Sequence, residues 1–75
     1  MEIDGREIDL KDVLKQLKQI LLANRERSIA VDVLVNTMAD AKKISAFVAM
    51  SGCAPEIDKI DSFYIIRIRG NVCCA

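Results

Sequence analysis

The stretch SIAVDVLVN, residues 28–36, decides the fold because it has the two-residue period of a strand inside a sheet. Successive strand residues point to opposite faces, so one face of this strand is wholly apolar and the other is mixed. We expect the apolar face to pack in the core and the mixed face to be less well covered. The apolar positions are Ile29, Val31, Val33 and Val35.

The residues before this strand predict an amphipathic helix over residues 9–24. Asp9 is a good N-cap, and Asp12 adds an acidic side chain in the first turn. Asn24 is expected to end the helix in the left-handed conformation. The predicted inward stripe recurs at three- and four-residue spacing and consists of Leu10, Val13, Leu14, Leu17, Ile20 and Leu21.

A second helix is predicted after the strand, over residues 37–51. Thr37 and Asp40 resemble a capping box at its start, and Gly52 is a typical residue to end it. Its predicted inward stripe is Ala41, Ile44, Ser45 and Val48, flanked by Phe47 and Met50.

Three further strands complete the domain. Residues 1–8 predict a short strand with a kink near Gly5, and residues 55–60 predict a weak edge strand that begins with a proline. A turn at Asp61 and Ser62 leads to a strong strand, residues 63–69, which we expect inside the sheet. The result is an α+β fold: a two-layer sandwich with a mixed four-stranded sheet in the order 1-2-4-3 and both helices on one face.

Length and composition limit the classes of protein to which the chain can belong. The 75 residues make a single domain with one core, whose residues 71–75 we expect to form a flexible tail. Eleven basic and eleven acidic side chains balance, so binding to nucleic acid or a membrane is not expected. Residues 1–10 are charged rather than apolar, which argues against a signal peptide and favours the cytoplasm. The lysine strip, Lys11, Lys15 and Lys18, with Arg25 and Arg27, is interpreted as a solvated helix face rather than an RNA or acidic-partner contact.

Cysteine is the reactive residue type that the sequence offers, because it has three cysteines and no histidine. Cys73 and Cys74 are the candidate sulfur carriers, and nearby Arg67 and Arg69 would lower a thiol pKa. The competing interpretation is a tail without chemistry. Cys53 is expected to be a sheltered apolar side chain. No catalytic constellation, cofactor or metal site is predicted.

The mixed face of the sheet is a candidate partner-binding surface. Its predicted residues are apolar and basic side chains that lie close together, and they would bind a protein partner or a second copy of the chain in a homodimer. Alternatively, the arginines pair with Asp32 and cover the apolar residues with their alkyl stems. The candidate residues are Leu34, Phe63, Ile65, Arg67 and Arg69.

Two stretches, VNTMADAKKISAFVAMSGC (35–53) and FYIIRIRG (63–70), resemble the TusA/SirA-like family of small sulfur carriers. Family members share the element order and nearly the same length. Ile44 and Phe47 match family positions, whereas residues 36–38 replace its Asp-Asp-Pro and Gly52-Cys53 stands where Gly-His is frequent.

The resemblance does not extend to the family's Cys-Pro-x-Pro signature. In the family this motif stands at the start of the first helix, and its cysteine carries sulfur as a persulfide. Leu10, Lys11 and Val13 stand at those positions here. The resemblance implies a non-enzymatic sulfur carrier, or a partner-docking protein of sulfur metabolism or tRNA thiolation, with a protein sulfur donor or acceptor. The alternatives are a protein- or RNA-binding regulatory module without thiol chemistry, and a soft-metal-handling protein that uses Cys73 and Cys74.

Overall fold

The computed structural model describes residues 1–72. Six elements follow one another in the predicted order: β1 (Glu2–Asp4), α1 (Leu10–Ala23), β2 (Ser28–Val35), α2 (Met38–Ala49), β3 (Ala54–Ile60) and β4 (Phe63–Asn71).

The four strands form one mixed sheet in the order β1-β2-β4-β3, which confirms the predicted topology. β1 runs parallel to β2, and β4 runs antiparallel to both of its neighbours. In the centre of the sheet Val33 pairs with Ile66, and on the next row of the same face Val31 pairs with Ile68. This register stacks the apolar positions of β2 and β4 on one face, because residues two apart share a face.

Both helices cover that apolar face. The buried residues of α1, of α2 and of the apolar sheet face belong to one hydrophobic cluster, which also includes Ile3 and Cys53. The opposite face of the sheet carries no helix among the described residues. The helix residues in the cluster are Val13, Leu17, Leu21, Ala41, Ile44 and Val48.

The first strand is shorter than residues 1–8, because the chain turns away at Gly5. The Gly5 amide donates to the Leu34 carbonyl over 2.8 Å. A Cβ at Gly5 would lie 2.8 Å from that carbonyl oxygen and 2.8 Å from Val13 Cγ2, closer than packed atoms approach. Glycine therefore lets the end of β1 pass between β2 and α1.

The helix ends differ in part from the prediction. Asn24 has φ −119° and ψ 27°, so the expected left-handed conformation is wrong. Its side-chain amide instead donates to the Ile20 carbonyl over 2.7 Å, which satisfies an acceptor of the last turn. Thr37 caps α2 as predicted, accepting from the Asp40 amide, whereas Asp9 makes no side-chain cap hydrogen bond to α1.

The last strand is longer than residues 63–69. β4 continues through Asn71, and Val72 is fully buried, so residues 71 and 72 belong to the folded domain rather than to a tail. Residues 73–75 lie outside the described part of the chain. Neither α1 nor α2 is long and apolar enough to cross a membrane.

Candidate functional site

The two candidate sulfur carriers, Cys73 and Cys74, lie outside the described residues, but the residue that precedes them is firmly held. Val72 donates its amide to the Arg27 carbonyl over 3.0 Å and accepts from the Glu26 amide over 2.7 Å. Its side chain is part of the core cluster. The chain is therefore held in place up to the residue that precedes Cys73.

This attachment point lies at a turn that carries two arginines. Arg25 pairs with Val72 in an isolated parallel bridge, and Arg25 and Arg27 are both exposed on either side of Glu26. The turn can form because Glu26 adopts the left-handed conformation, with φ 64°. This turn, residues 25–27, carries two cations and one anion.

Arg67 and Arg69, which we expected to influence the thiols, are engaged elsewhere. Arg67 forms an ion pair with Asp58, and Arg69 Nη2 lies 3.0 Å from Asp32 Oδ1. Both arginines lie on the face of the sheet that is opposite the helices, because they alternate along β4 with the buried Ile66 and Ile68. Arg25 and Arg27 are the basic residues of the turn that binds Val72, whereas the expected proximity of Arg67 and Arg69 to Cys73 and Cys74 concerns residues outside the described part of the chain.

Cys53 is sheltered, as the sequence analysis expected. Only 6% of its surface is exposed, and it belongs to the core cluster. Burial raises the pKa of its thiol, because desolvation disfavours the thiolate. A thiol in this position is a poor nucleophile, since the thiolate is the reactive form.

The N-terminus of α1, which holds the reactive cysteine in the resembled family, has a partly buried leucine instead. Leu10 is the first residue of the helix and packs against the core cluster. The first turn therefore contributes to stability, and any thiol chemistry of this chain has to occur at another place.

The open face of the sheet, the face opposite the helices, carries a network of charges. Arg69 reaches Asp32 of β2, and it also donates to the Val31 carbonyl over 3.3 Å. Arg67 reaches Asp58 of β3. Each arginine of β4 thus pairs diagonally with an acidic residue of a neighbouring strand. In the alternative predicted from the sequence both arginines pair with Asp32; Arg69 does so, whereas Arg67 pairs with Asp58.

The apolar residues of the open face differ in accessibility. Leu34 is 7% exposed and is counted among the buried residues, whereas Phe63 and Ile65 are partly exposed and Ile60 lies at the edge beside Phe63. Leu34 lies beside Ile65 on the same face but is covered by its neighbours, so Phe63 and Ile65 are the predicted contact residues that a partner can reach.

Arg6 belongs to this surface and was missed by sequence reasoning. Its guanidinium lies 4.8 Å from the centre of the Phe63 ring, in the range of a cation–π contact. It also binds the Asp4 carboxylate through two hydrogen bonds of 3.0 Å, which lowers the pKa of Asp4 from 3.8 to about 2. No periodic signal could have found it, because β1 ends at Asp4 and the chain turns away at Gly5 before Arg6.

Within residues 1–72, no three His, Cys, Asp or Glu side chains lie close enough together to hold a metal ion. Comparison of the chain with protein-family models, with curated proteins and with solved structures found no match.

Proposed function

We propose that this protein is a non-enzymatic sulfur carrier that receives sulfur as a persulfide on Cys73 or Cys74 and passes it to a protein partner. The observation that supports this proposal is the anchoring of Val72, the residue directly before Cys73, at a defined position on the domain. A carrier needs a thiol that a partner finds at a constant place relative to the docking surface. The TusA/SirA-like resemblance of residues 35–53 supplies the sulfur chemistry of the proposal.

The proposed transfer needs no added oxidant. The thiolate of Cys73 or Cys74 attacks the outer sulfur of a persulfide on the donor enzyme, and a new S–S bond forms as the donor S–S bond breaks. The donor cysteine leaves as a thiolate, so the oxidised sulfur atom simply moves from one cysteine to the other. Arg25 and Arg27 lie in the turn that binds Val72, and a cation that approached the thiolate would stabilise it.

Cys53 is not the proposed sulfur carrier, because it is buried. Its thiol has a raised pKa and almost no exposed surface, so a donor enzyme cannot bring a persulfide against it without opening the core. Cys53 is therefore the matched control within the same chain. Replacement by serine at each cysteine separates the two positions cleanly.

The test is the intact mass of the protein after incubation with a cysteine desulfurase and cysteine. We expect wild type and Cys53→Ser to gain one sulfur atom, and the double variant Cys73→Ser with Cys74→Ser to gain none. Circular dichroism checks that each variant is folded. A double variant that still gains sulfur, or a wild type that gains none although its thiols are reduced, would refute the proposal.

A second candidate is a docking or regulatory module without thiol chemistry, and the open face of the sheet favours it. Phe63 and Ile65 are partly exposed there among ion pairs, and apolar residues inside a polar rim are typical of interfaces. Replacing both by serine would abolish binding of a partner or a homodimer while the fold remains. A monomer in sedimentation at high concentration, together with no retained partner, would count against this candidate.

A further inference from the structure

The outer surface of the helix layer contains a groove that the proposed thiol chemistry does not use. It lies between the C-terminal parts of α1 and α2 and encloses about 120 Å³. We call it the helix groove, and its lining residues are Lys18, Leu21, Leu22, Phe47 and Ser51.

The size of the helix groove fits one side chain of a partner. Binding pockets for cofactors and drug-sized ligands usually enclose about 300–1,000 Å³, well above this volume. An apolar cavity of about 150 Å³ holds one benzene molecule, so the helix groove has room for a single aliphatic side chain.

The surroundings of the helix groove are apolar and accessible. Leu22 is 48% exposed and Met50 is 80% exposed, and Met50 follows Phe47 by three residues, which places both on one side of α2. Leu22 lies away from the buried stripe of α1, whose last member is Leu21. Exposed leucine and methionine beside a half-buried phenylalanine form an adaptable apolar contact area.

The rim of the helix groove is basic. Lys18 lines the groove, and Lys15 precedes it by three residues on α1. On α2, Lys43 precedes Phe47 by four residues, and one acidic residue, Asp40, precedes it by seven. Residues at these spacings share a helix side. None of the ion pairs formed among residues 1–72 involves these lysines, so their charges are available to an external anion.

The partial negative charge at the ends of the two helices opposes an acidic ligand, but only weakly. The effect of a helix dipole is confined to the last turn and corresponds to about half a unit charge. The two helix ends together amount to about one unit of negative charge. The three lysines and Asp40 carry a net charge of +2 (three positive, one negative), so the rim remains positive.

We propose that the helix groove docks an acidic segment of a partner protein, which inserts one apolar side chain between Leu22 and Phe47 while its carboxylates face Lys18. The proposal does not depend on the thiol chemistry. The helix groove nevertheless lies at the same end of the domain as Val72, since α1 ends just before the turn that binds Val72. A partner seated there would be close to the point where the thiol pair begins.

The test is a titration of ¹⁵N-labelled protein with a blocked peptide, Glu-Glu-Leu-Glu-Glu, followed by the amide shifts of Leu22, Phe47 and Ser51. We expect saturable shifts at these residues. Peptides with lysine in place of glutamate, or with serine in place of leucine, should bind roughly tenfold more weakly or not at all.

Two protein variants and one control sharpen this test. Leu22→Ser removes an exposed wall of the groove, and Lys18→Glu reverses the rim charge. Each should weaken binding about tenfold. Lys42→Glu makes the same charge change on α2 at a residue that does not line the groove, and it should leave binding unchanged.

Several results would overturn the proposal. These are shifts that map to the open face, equal binding of the lysine peptide, an effect of Lys42→Glu as large as that of Lys18→Glu, or binding of the protein to phosphatidylserine vesicles but not to the peptide. The variant Cys73→Ser with Cys74→Ser should bind the peptide normally, so that a failure of the sulfur proposal and a failure of the groove proposal are distinguished.

Discussion

The two faces of the sheet are built from the same two central strands but differ in burial and charge. On the covered face, Val31, Val33, Ile66 and Ile68 are buried beneath the helices. On the open face, the alternate residues of these strands form ion pairs across the sheet, with Phe63 and Ile65 partly exposed among them.

The difference shows that the stability of this 75-residue domain is concentrated on one face of the sheet. Burial of apolar surface provides most of the stability of a small domain, and here it is concentrated on one face. Half-exposed ion pairs contribute little to stability, so the charged residues of the open face can change with little cost to the fold, whereas the buried Leu34 cannot. The open face is therefore the part of the sheet that is suited to contact a partner.

Neighbouring isoleucines of β4 give the strongest test of this comparison. Ile66→Ala should lower the free energy of unfolding by about 2–5 kcal/mol, because it leaves a cavity in the core. Ile65→Ala removes the same atoms from the open face and should cost about 1 kcal/mol or less. Urea denaturation of both variants measures the difference, and equal losses would contradict the separation of the two faces.

Gly5 lies where the end of β1 passes between β2 and α1, and its replacement should have the next largest effect. Gly5→Ala places a methyl group 2.8 Å from the Leu34 carbonyl oxygen and from Val13 Cγ2. We expect a loss of about 1–3 kcal/mol in the free energy of unfolding, since both neighbours are packed. Glu7→Ala, at an exposed position of the same loop, is the control and should be nearly silent. A fully stable Gly5→Ala protein would show that the end of β1 is free to move.

The smallest effect is expected at the pair formed by Asp4 and Arg6. The Arg6 guanidinium lowers the pKa of Asp4 from 3.8 to about 2, so the pair stabilises the fold above the ordinary pKa. This stabilisation is lost as the pH falls from about 4 to about 2. Titration of the Asp4 carboxyl by NMR should show the low pKa in wild type and its return towards 3.8 in Arg6→Ala. Arg67→Ala should leave the pKa of Asp4 low, and an ordinary pKa in wild type would disprove the pair.

The fold was predictable to the level of strand order because its signals are periodic. The alternation in residues 28–36 and in residues 63–69 identified the inner strands, and the three- and four-residue spacing identified both helices. The extent of β1 was overestimated, since the close passage of Gly5 under Leu34 depends on a contact between distant residues. Asn24 was given the wrong conformation because its side chain caps Ile20 instead.

The candidate site was less predictable from the sequence. Cys53 could be assigned to the interior because it follows a helix end and behaves as an apolar residue. The ion pairs of Arg67 and Arg69 depend on the cross-strand register, which single-strand patterns do not specify. The fixed position of Val72 depends on a bridge to a turn 47 residues earlier (72 − 25), so local reasoning placed it in a flexible tail.

The location of the added sulfur tests the central proposal most directly. After incubation with a cysteine desulfurase and cysteine, the protein is alkylated and digested with trypsin, which yields residues 44–59 with Cys53 and residues 70–75 with Cys73 and Cys74. We predict one added sulfur atom on the peptide of residues 70–75 and none on the peptide of residues 44–59. Sulfur on Cys53, or on neither peptide, would contradict the assignment of this protein as a carrier that uses its C-terminal thiols.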